Sequence, residues 1–125
     1  MDVNEVSGDV VDAAMKVHTA LGPGLLESAY EACLVHELRQ RGHAVGVQEV
    51  LPVHYEGVRI DAGYRVDLLV DGVVIVELKA VRELLPIHEA QLLTYLKLSG
   101  VKVGLLINFN VQRLKDGIKR LVNGL

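Results

Sequence analysis

Two apolar runs joined by a turn dipeptide, in the stretch Tyr64 to Ala80, constrain the fold more than any other part of the sequence. Runs of Val, Ile and Leu on both sides of Asp71-Gly72 predict a β-hairpin that is buried on both faces. The hairpin also contains Asp67, Glu77 and Lys79, and such side chains are almost never fully buried unless they are paired. Three charges in adjoining core strands therefore indicate a functional site, and a metal ion would account for them.

The length of the connection between the two strands decides whether the carboxylates can meet. Side chains alternate along a strand, so a strict two-residue turn at Asp71-Gly72 would put Asp67 and Glu77 on opposite faces. A three-residue loop that begins at Val70 would instead place Asp67 opposite Ile75, one step from the second carboxylate. A metal site therefore requires a bulge or an odd-length loop at this turn.

The size and composition of the chain favour a single domain with a well-covered sheet. A chain of 125 residues has the length of one domain, 1–125, and folding buries roughly two-thirds of its unfolded surface. Half of the residues are apolar, which predicts that both faces of the sheet are covered or that some surface is used in self-association. The net charge of −3 argues against indiscriminate binding to nucleic acid but allows a local basic groove.

Three features predict a cytosolic protein. The single cysteine, Cys33, excludes an intrachain disulfide and is typical of a reducing compartment. The N-terminal segment is acidic where a signal peptide would be basic. No apolar run approaches the roughly 18 residues that a membrane helix requires, so we expect no membrane association.

Hydrophobic spacing predicts helices and strands on both sides of the hairpin. The predicted helices are 4–21, with Asn4 as its N-cap, then 25–41 and 84–98. The predicted strands are 44–55, 58–70, 73–80 and 103–109. In the tail, Asp116-Gly117 could turn a hairpin or lie in a short helix that contains a glycine, and of the two we expect extended structure with a turn. The order α-α-β-β-β-α-β predicts an α/β (α+β) fold with a central mixed sheet flanked by helices.

The spacing of the charged residues in the hairpin points to metal-dependent chemistry. Two carboxylates held together bind Mg²⁺ or Mn²⁺ through hard oxygen ligands, and the backbone carbonyl of Leu78 would be a further ligand. Such a metal lowers the pKa of a bound water and neutralises charge on a scissile phosphate. The ammonium of Lys79, on the same face as Glu77, would orient the nucleophile and stabilise the transition state.

Three motifs in this sequence resemble those of a nuclease superfamily. Asp67 with Glu77-Leu78-Lys79 resembles the PD-(D/E)xK signature, although Val66 stands where the signature has its proline. Gln91-Leu92-Leu93-Thr94-Tyr95 resembles the QxxxY element of the exonuclease-like branch of that superfamily. The segment from Gly24 to Tyr30 is similar to the motif that names the GxxExxY protein family, a small bacterial group usually placed in the superfamily.

The resemblance covers about residues 10 to 123 and implies both a fold and an activity. The implied fold is a restriction-endonuclease-like α-β-β-β-α-β core, with an extra N-terminal helix in this chain. The implied activity is Mg²⁺- or Mn²⁺-dependent hydrolysis of phosphodiester bonds in nucleic acid, with DNA as the expected substrate. A homodimer or a partner protein would carry any sequence specificity.

The resemblance also implies roles for individual residues. Asp67 and Glu77 would be the principal metal ligands, and Lys79 would be the catalytic lysine. Glu27, on the second helix, would be a third carboxylate ligand or would hold a metal-bound water. The alternatives are structural, because Lys79 could neutralise a carboxylate in a salt bridge at the end of the sheet. Glu27 could be a first-turn glutamate that the helix dipole favours.

Supporting and substrate-binding residues are expected outside the hairpin. Gln91 and Tyr95 share a helix face with His88 and would contact the metal-bound water or a phosphate oxygen. The alternative for this face is a polar seam between helix and sheet, and His88 is expected to be structural or exposed. Tyr30, Arg113 and Lys115 are candidate substrate contacts, although basic residues in the tail could equally be ordinary solvated surface. The five histidines show no zinc-ligand spacing.

Two other functions fit the same residues. The domain could be an inactive dimerisation or adaptor module that keeps the polar residues as a relic. It could also be a metal-dependent hydrolase of a small phosphate ester.

Overall fold

The computed structural model of the chain describes residues 1–124. Helices lie on both sides of a mixed sheet, so the predicted α/β class is confirmed. The helices are α1 (Val3–Leu21), α2 (Glu27–Gln40) and α3 (Pro86–Ser99), with a short 3-10 helix at Leu114–Gly117. The strands are β1 (Val45–Val50), β2 (Val53–Tyr55), β3 (Val58–Ile60), β4 (Arg65–Val70), β5 (Val74–Lys79), β6 (Val103–Asn108) and β7 (Ile118–Val122).

The main sheet has five strands in the order β1-β4-β5-β6-β7. Neighbouring strands are antiparallel except β5 and β6, which are parallel and joined by α3. A parallel pair needs such a crossover, because its second strand must start at the same end of the sheet as the first. The helix therefore returns the chain across the sheet after the charged end of β5.

The two long strands predicted before the hairpin are each divided. Residues 44–55 form β1 and β2, which are separated at Leu51-Pro52 because proline cannot donate a ladder hydrogen bond. Residues 58–70 form β3 and β4, separated by the irregular segment 61–64. Strands β2 and β3 pair only with each other. Most of their side chains are exposed, so this small hairpin lies outside the core.

Two apolar clusters hold the helices onto the sheet. Helices α1 and α2 share one cluster with β4, β5 and β6, and α3 shares the other with the opposite face of the sheet. Burying one Leu or Val side chain contributes roughly 1.5–3 kcal/mol relative to its exposure to water. Strands β5 and β6, with almost every side chain buried, are consequently the centre of the core.

Helix α1 begins and ends at residues with suitable backbone conformations. Asp2, rather than the predicted Asn4, is the N-cap, since its Oδ1 accepts a hydrogen bond of 2.8 Å from Glu5 N. At the other end Gly22 has a φ of 68°, which a side chain would strain, and its N–H donates to His18 O. The predicted stop after residue 21 is confirmed.

The tail is extended only in its last part. The prediction that Asp116-Gly117 turns a hairpin was wrong, because these residues end the 3-10 helix and β7 pairs with β6 instead. A Cβ at Gly117 would collide with the carbonyl oxygen of Asn108. This close approach of two backbone segments requires glycine at position 117. The absence of a side chain there lets the chain turn back so that β7 pairs with β6.

An odd-length loop joins β4 to β5. Val70 pairs with Val74, and Val73 N donates to Val70 O at 3.0 Å. Asp71 and Gly72 have φ values of 52° and 70°, as the central residues of a type I′ turn require. Val73 is therefore the extra residue, and the loop is one position later than predicted.

The later loop changes the register of the hairpin. Because Leu68 pairs with Val76, Asp67 lies at the level of Glu77 rather than opposite Ile75. The predicted register was wrong by two residues, and a shift of two preserves the face of each side chain in the paired part of the ladder because strand side chains alternate with a period of two. The two carboxylates consequently lie closer together than expected.

A buried histidine ties this hairpin turn to helix α1. His43 Nδ1 lies 2.5 Å from Asp71 Oδ2, and His43 Nε2 lies 2.5 Å from Asp9 Oδ2. Burial by itself would lower the pKa of His43, but its hydrogen bonds to Asp71 and Asp9 outweigh burial and raise that pKa. A doubly donating, protonated ring therefore fits between the two carboxylates. Asp9 also accepts a hydrogen bond from Arg41, so the contact belongs to a charged network.

We predict that His43→Gln destabilises the protein in a pH-dependent manner. Because the folded state raises the pKa of His43, its contribution is fully present below the ordinary value of 6.5 and is lost as pH rises through the folded-state pKa. The free energy of unfolding should fall by about 1–3 kcal/mol in acid and by less in alkali, as measured by urea denaturation at several pH values. His54→Gln, on exposed β2, is the control. A loss that does not shrink with rising pH would contradict the prediction.

Candidate functional site

The charged end of the hairpin begins where strands β4 and β5 separate. Their ladder stops at the pair Leu68 and Val76, although both strands continue. Beyond that pair Asp67 Oδ2 accepts a hydrogen bond of 2.8 Å from Leu78 N, and Glu77 Oε1 accepts one of 3.3 Å from Asp67 N. Each carboxylate thus binds the backbone of the other strand. The sheet itself fixes the two carboxylates beside each other.

At this point the side chains of β4 also stop alternating strictly between the two faces of the sheet. Leu68 packs in the cluster under α1 and α2, whereas Val66 packs in the cluster under α3, although strict alternation would place both on one face. The intervening Asp67 therefore lies at the break between the two layers. Its charge acts on acidic side chains of α2 on one side of the sheet and on Tyr95 of α3 on the other.

Glu77 is buried in this break and resists ionisation. The residue is only 6% exposed. Burial, followed by the negative charge of Asp67, raises the pKa of Glu77 to about 9, while Lys79 lowers it by a smaller amount. Glu77 therefore keeps its proton at neutral pH unless positive charge is added. The pair of carboxylates is an environment that a cation would stabilise.

Lys79 lies on the same face as Glu77, two positions further along β5. It is half-buried, and its backbone carbonyl accepts a hydrogen bond of 2.9 Å from Phe109 N on the neighbouring chain segment. Within residues 1–124, no carboxylate lies within salt-bridge distance of its ammonium group. The structural alternative of a neutralising salt bridge is therefore not observed.

Helix α2 brings two more acidic side chains to the site. Burial raises the pKa of Glu27, as does the negative charge of Asp67, whereas Lys79 acts in the opposite direction. Burial also raises the pKa of Glu31, and the charge of Asp67 adds to this effect. Both glutamates are therefore close enough to Asp67 to interact with its charge. Glu27 was predicted as a site residue, whereas Glu31, one turn further along the helix, was not.

The loop before α2 explains how Glu27 reaches the site. The ring of Tyr30 is completely buried and stacks on Phe109 with 4.5 Å between ring centroids. Its hydroxyl donates to Gly22 O at 2.6 Å and accepts from Leu25 N at 3.1 Å. The expectation that Tyr30 contacts substrate is not supported, because neither its ring nor its hydroxyl is free. Tyr30 instead fastens the loop from which Glu27 starts the helix.

Helix α3 places its two predicted residues differently. Tyr95 is 7% exposed, and burial, followed by the charge of Glu77, raises the pKa of its phenol. Gln91 is exposed and lines a cleft of about 420 Å³ with Tyr95 and Tyr64. His88 is structural, because its Nδ1 accepts a hydrogen bond of 3.0 Å from Leu85 N at the start of α3. Only Tyr95 is thus shown to lie near the carboxylates.

Tyr64 is an aromatic residue at this site that the sequence analysis missed. Its ring is 45% exposed, and its centroid lies 6.2 Å from that of Tyr95. The only sequence signal was its position three residues before Asp67. An exposed aromatic ring at the mouth of a cleft gives a flat surface on which a nucleotide base can stack.

Gln48 is a second residue that the sequence did not reveal. It lies in β1 with a left-handed φ of 52°, which is unusual for a residue other than glycine. Its side-chain amide donates to Asp67 Oδ1 at 3.2 Å and to Glu31 Oε2 at 3.0 Å. No local sequence pattern predicts these contacts, because they join residues that are far apart in the sequence.

Arg113 and Lys115 lie in a separate cleft. Both side chains are exposed, and they line a depression of about 540 Å³ together with His18 and the Gly22-Pro23 segment. The ring of His18 is largely buried, and its Nε2 lies 2.8 Å from Val111 O. The cleft therefore follows the loop that precedes α2 and carries two positive charges.

The donor atoms of the carboxylate pair fit a hard divalent cation. Asp67 and Glu77 offer oxygen ligands, which Mg²⁺ and Mn²⁺ prefer, and the pair has little compensating positive charge. As the side chains stand, no three His, Cys, Asp or Glu residues in the described part of the chain are grouped closely enough to hold one ion. Glu27 is thus near the pair without forming a complete ligand set.

We predict that Glu77→Gln stabilises the metal-free protein. The folded state raises the pKa of Glu77 from 4.5 to about 9, so stability falls as pH rises between those values. At about 1.4 kcal/mol for each pKa unit, the variant should exceed the parent at pH 7 by on the order of 3 kcal/mol. Thermal unfolding in a chelator measures the difference, and exposed Glu83→Gln is the control. Equal stability of Glu77→Gln and parent at pH 8 would refute this account.

The comparisons with known proteins give one match. The family model of the PD-(D/E)XK nuclease superfamily matches residues 4–121, and the mixed sheet with flanking helices is consistent with a restriction-endonuclease-like fold. Searches of curated proteins and of solved structures found no match. Within the described residues, no helix has the length and apolar character needed to cross a membrane. Because the match spans nearly the whole sequence, the chain belongs to the PD-(D/E)XK nuclease superfamily.

Proposed function

We propose that this protein is a Mg²⁺- or Mn²⁺-dependent nuclease that hydrolyses phosphodiester bonds in DNA as a single domain. The observation that carries the proposal is the meeting of Asp67 and Glu77 where β4 and β5 separate. These carboxylates would be the principal metal ligands, and Glu27 and the Leu78 carbonyl would be accessory ligands. A divalent cation bound there would lower the pKa of a bound water and neutralise charge on the scissile phosphate.

The ammonium group of Lys79 supplies the positive charge that the chain itself brings to the reaction. It lies close enough to Glu27 and Glu77 to lower their pKa values, yet it is not engaged in a salt bridge in the described residues. An ammonium group with free donors can orient an attacking water and stabilise charge that develops on phosphate oxygens. We assign Lys79 this catalytic role.

The cleft beside α3 is proposed to receive the nucleotide next to the bond that is cut. Tyr95 lies near Glu77, and Gln91 lines the same cleft with donor and acceptor atoms that suit a phosphate or a base edge. Tyr64 would provide stacking contact. Gln91 and Tyr95 would thus support catalysis by holding substrate rather than by transferring a proton.

The geometry of the loop before α2 supports a narrower placement in the GxxExxY group. Gly24 has a φ of 100°, Tyr30 fastens the loop through its hydroxyl, and Glu27 is near enough to Asp67 for that charge to raise its pKa. The three named positions of the motif therefore have one joint effect, which is to present an acidic side chain to the catalytic pair. In the GxxExxY group, the motif would therefore serve to position the third carboxylate of the site.

One observation favours the alternative of an inactive module with the same fold. No group of three metal-binding side chains is formed among residues 1–124 as they stand. Such a module would act as a homodimer or bind a partner protein. For the nuclease and for the inactive module alike, the single cysteine is typical of a protein in the reducing cytosol. We propose that the protein binds its substrate or partner in that compartment.

We predict that the purified chain cleaves DNA in the presence of Mn²⁺ and that Lys79→Ala reduces the rate roughly 100-fold or more. Lys79→Ala should retain Mn²⁺ binding measured by calorimetry, because the lysine is not a ligand. Asp67→Asn should lose both binding and cleavage. Lys97→Ala, on the exposed side of α3, is the matched control and should be fully active.

The same assay separates the three candidate functions. Mn²⁺ binding with cleavage of single- or double-stranded DNA supports the nuclease. Hydrolysis of a small phosphate ester without cleavage of DNA supports the esterase, and absence of Mn²⁺ binding supports the inactive module.

We predict that Arg113→Ala and Lys115→Ala weaken DNA binding without changing its sequence preference. Each cation that contacts a phosphate releases about one counterion, so each variant should lower the slope of log affinity against log salt by about one. Fluorescence anisotropy with labelled DNA at several salt concentrations, in the presence of Ca²⁺ in place of Mn²⁺, measures this slope. Lys97→Ala is again the control, and an unchanged slope for both variants would show that the basic cleft is ordinary surface.

A further inference from the structure

Gln48 occupies a break in the pairing of β1 with β4. The residues on either side of it are paired, Val47 with Leu68 and Glu49 with Val66. Gln48 itself, which would face Asp67 in this register, is absent from the ladder and has a φ of 52°. A residue other than glycine in this conformation costs free energy, so something in the folded structure must offset the strain.

The contacts of the Gln48 side chain provide that offset. Its amide nitrogen donates to Asp67 Oδ1 at 3.2 Å and to Glu31 Oε2 at 3.0 Å. Asp67 Oδ2 meanwhile accepts from Leu78 N at 2.8 Å. Both oxygens of the Asp67 carboxylate are therefore held by donors from neighbouring elements, one on each side. The rotation of this carboxylate is fixed before any ligand arrives.

The chemical nature of the donor matters as much as its position. An amide nitrogen can bind two carboxylates without adding positive charge to them. A lysine or arginine in its place would neutralise the negative charge that attracts a cation. Gln48 thus holds Asp67 and Glu31 together and leaves the acidic character of the site intact.

We infer that Gln48, anchored by Glu31, is a positioning residue that orients the Asp67 carboxylate for divalent-cation binding. The inference rests on the proposed metal-dependent function and adds two residues to it. Neither residue is a metal ligand in this arrangement. Their effect is to reduce the reorganisation that Asp67 undergoes when a cation binds, which strengthens binding.

The test is calorimetric titration of Mn²⁺ into the protein without substrate. Gln48→Gly removes the amide while accepting the left-handed backbone, so the variant should fold with a melting temperature within a few degrees of the parent. Its dissociation constant for Mn²⁺ should be about tenfold higher, as is typical when a residue that orients a metal ligand is lost. In a nuclease assay the Mn²⁺ concentration for half-maximal rate should rise similarly, with a smaller change in kcat at saturating Mn²⁺.

Two changes at Glu31 separate an anchor from a simple charge effect. Glu31→Gln keeps an oxygen acceptor for the Gln48 amide and should retain most of the Mn²⁺ affinity, whereas Glu31→Ala should raise the dissociation constant by no more than the roughly tenfold expected for Gln48→Gly. In Gln48→Gly, the further change Glu31→Ala should have little additional effect, because both act through the same bridge. Equal losses in Glu31→Gln and Glu31→Ala would overturn the anchoring role.

The control for the backbone is Glu56→Gly. Glu56 also has a left-handed φ, of 50°, but lies in the exposed turn between β2 and β3. Its replacement should leave Mn²⁺ affinity unchanged. If the parent binds no Mn²⁺, the proposed function fails and this inference fails with it. If the parent binds Mn²⁺ and Gln48→Gly binds it equally well, only the inference fails.

Discussion

The exchange of hydrogen bonds between two carboxylates and the backbone of neighbouring strands is the interaction on which the site depends. Where β4 and β5 separate, the N–H groups of Asp67 and Leu78 would lack ladder partners. A buried N–H group needs an acceptor, and here the carboxylates of Glu77 and Asp67 provide it. The acidic side chains thus complete the sheet, and the sheet in turn fixes their positions.

This arrangement is electrostatically unfavourable without a cation. Glu77 is buried beside another acidic group and has a pKa of about 9, so the metal-free protein must either bind a proton there or accept a destabilising charge. Acidic groups with strongly shifted pKa values are concentrated at functional sites, because such shifts serve binding and catalysis. Membership of the PD-(D/E)XK nuclease superfamily is consistent with the metal-binding role proposed for this pair.

Three other parts of the fold help to fix the geometry around the carboxylates of Asp67 and Glu77. At the far end of the hairpin, Asp71 is bound by His43, which connects the turn to α1 and maintains the register. From α2, the loop fastened by Tyr30 presents Glu27. From β1, Gln48 contacts Asp67 directly. The contacts of His43 and of Gln48 join segments that are distant in sequence, so the geometry of the site depends on the whole fold.

The sequence by itself determined the helices, the buried hairpin and the condition under which its carboxylates share a face. These features follow from local rules, because hydrophobic period, turn dipeptides and strand alternation act within a few residues. The sequence left a two-residue turn and an odd-length loop both open, but strand alternation showed that only the odd-length loop brings Asp67 and Glu77 to one face. The signature motifs likewise identified the superfamily, because they are local patterns.

Only the tertiary structure decided the register of the hairpin, the burial of Tyr30 and the contact of Gln48 with Asp67. The register shifted by two residues because both alternatives satisfy alternation, and pairing between strands chose between them. Tyr30 was expected to contact substrate, but packing on Phe109 placed it in the core. Gln48 has no periodicity or motif to mark it. Its role arises from hydrogen bonds between side chains brought together by folding, and such long-range contacts leave no trace in a single sequence.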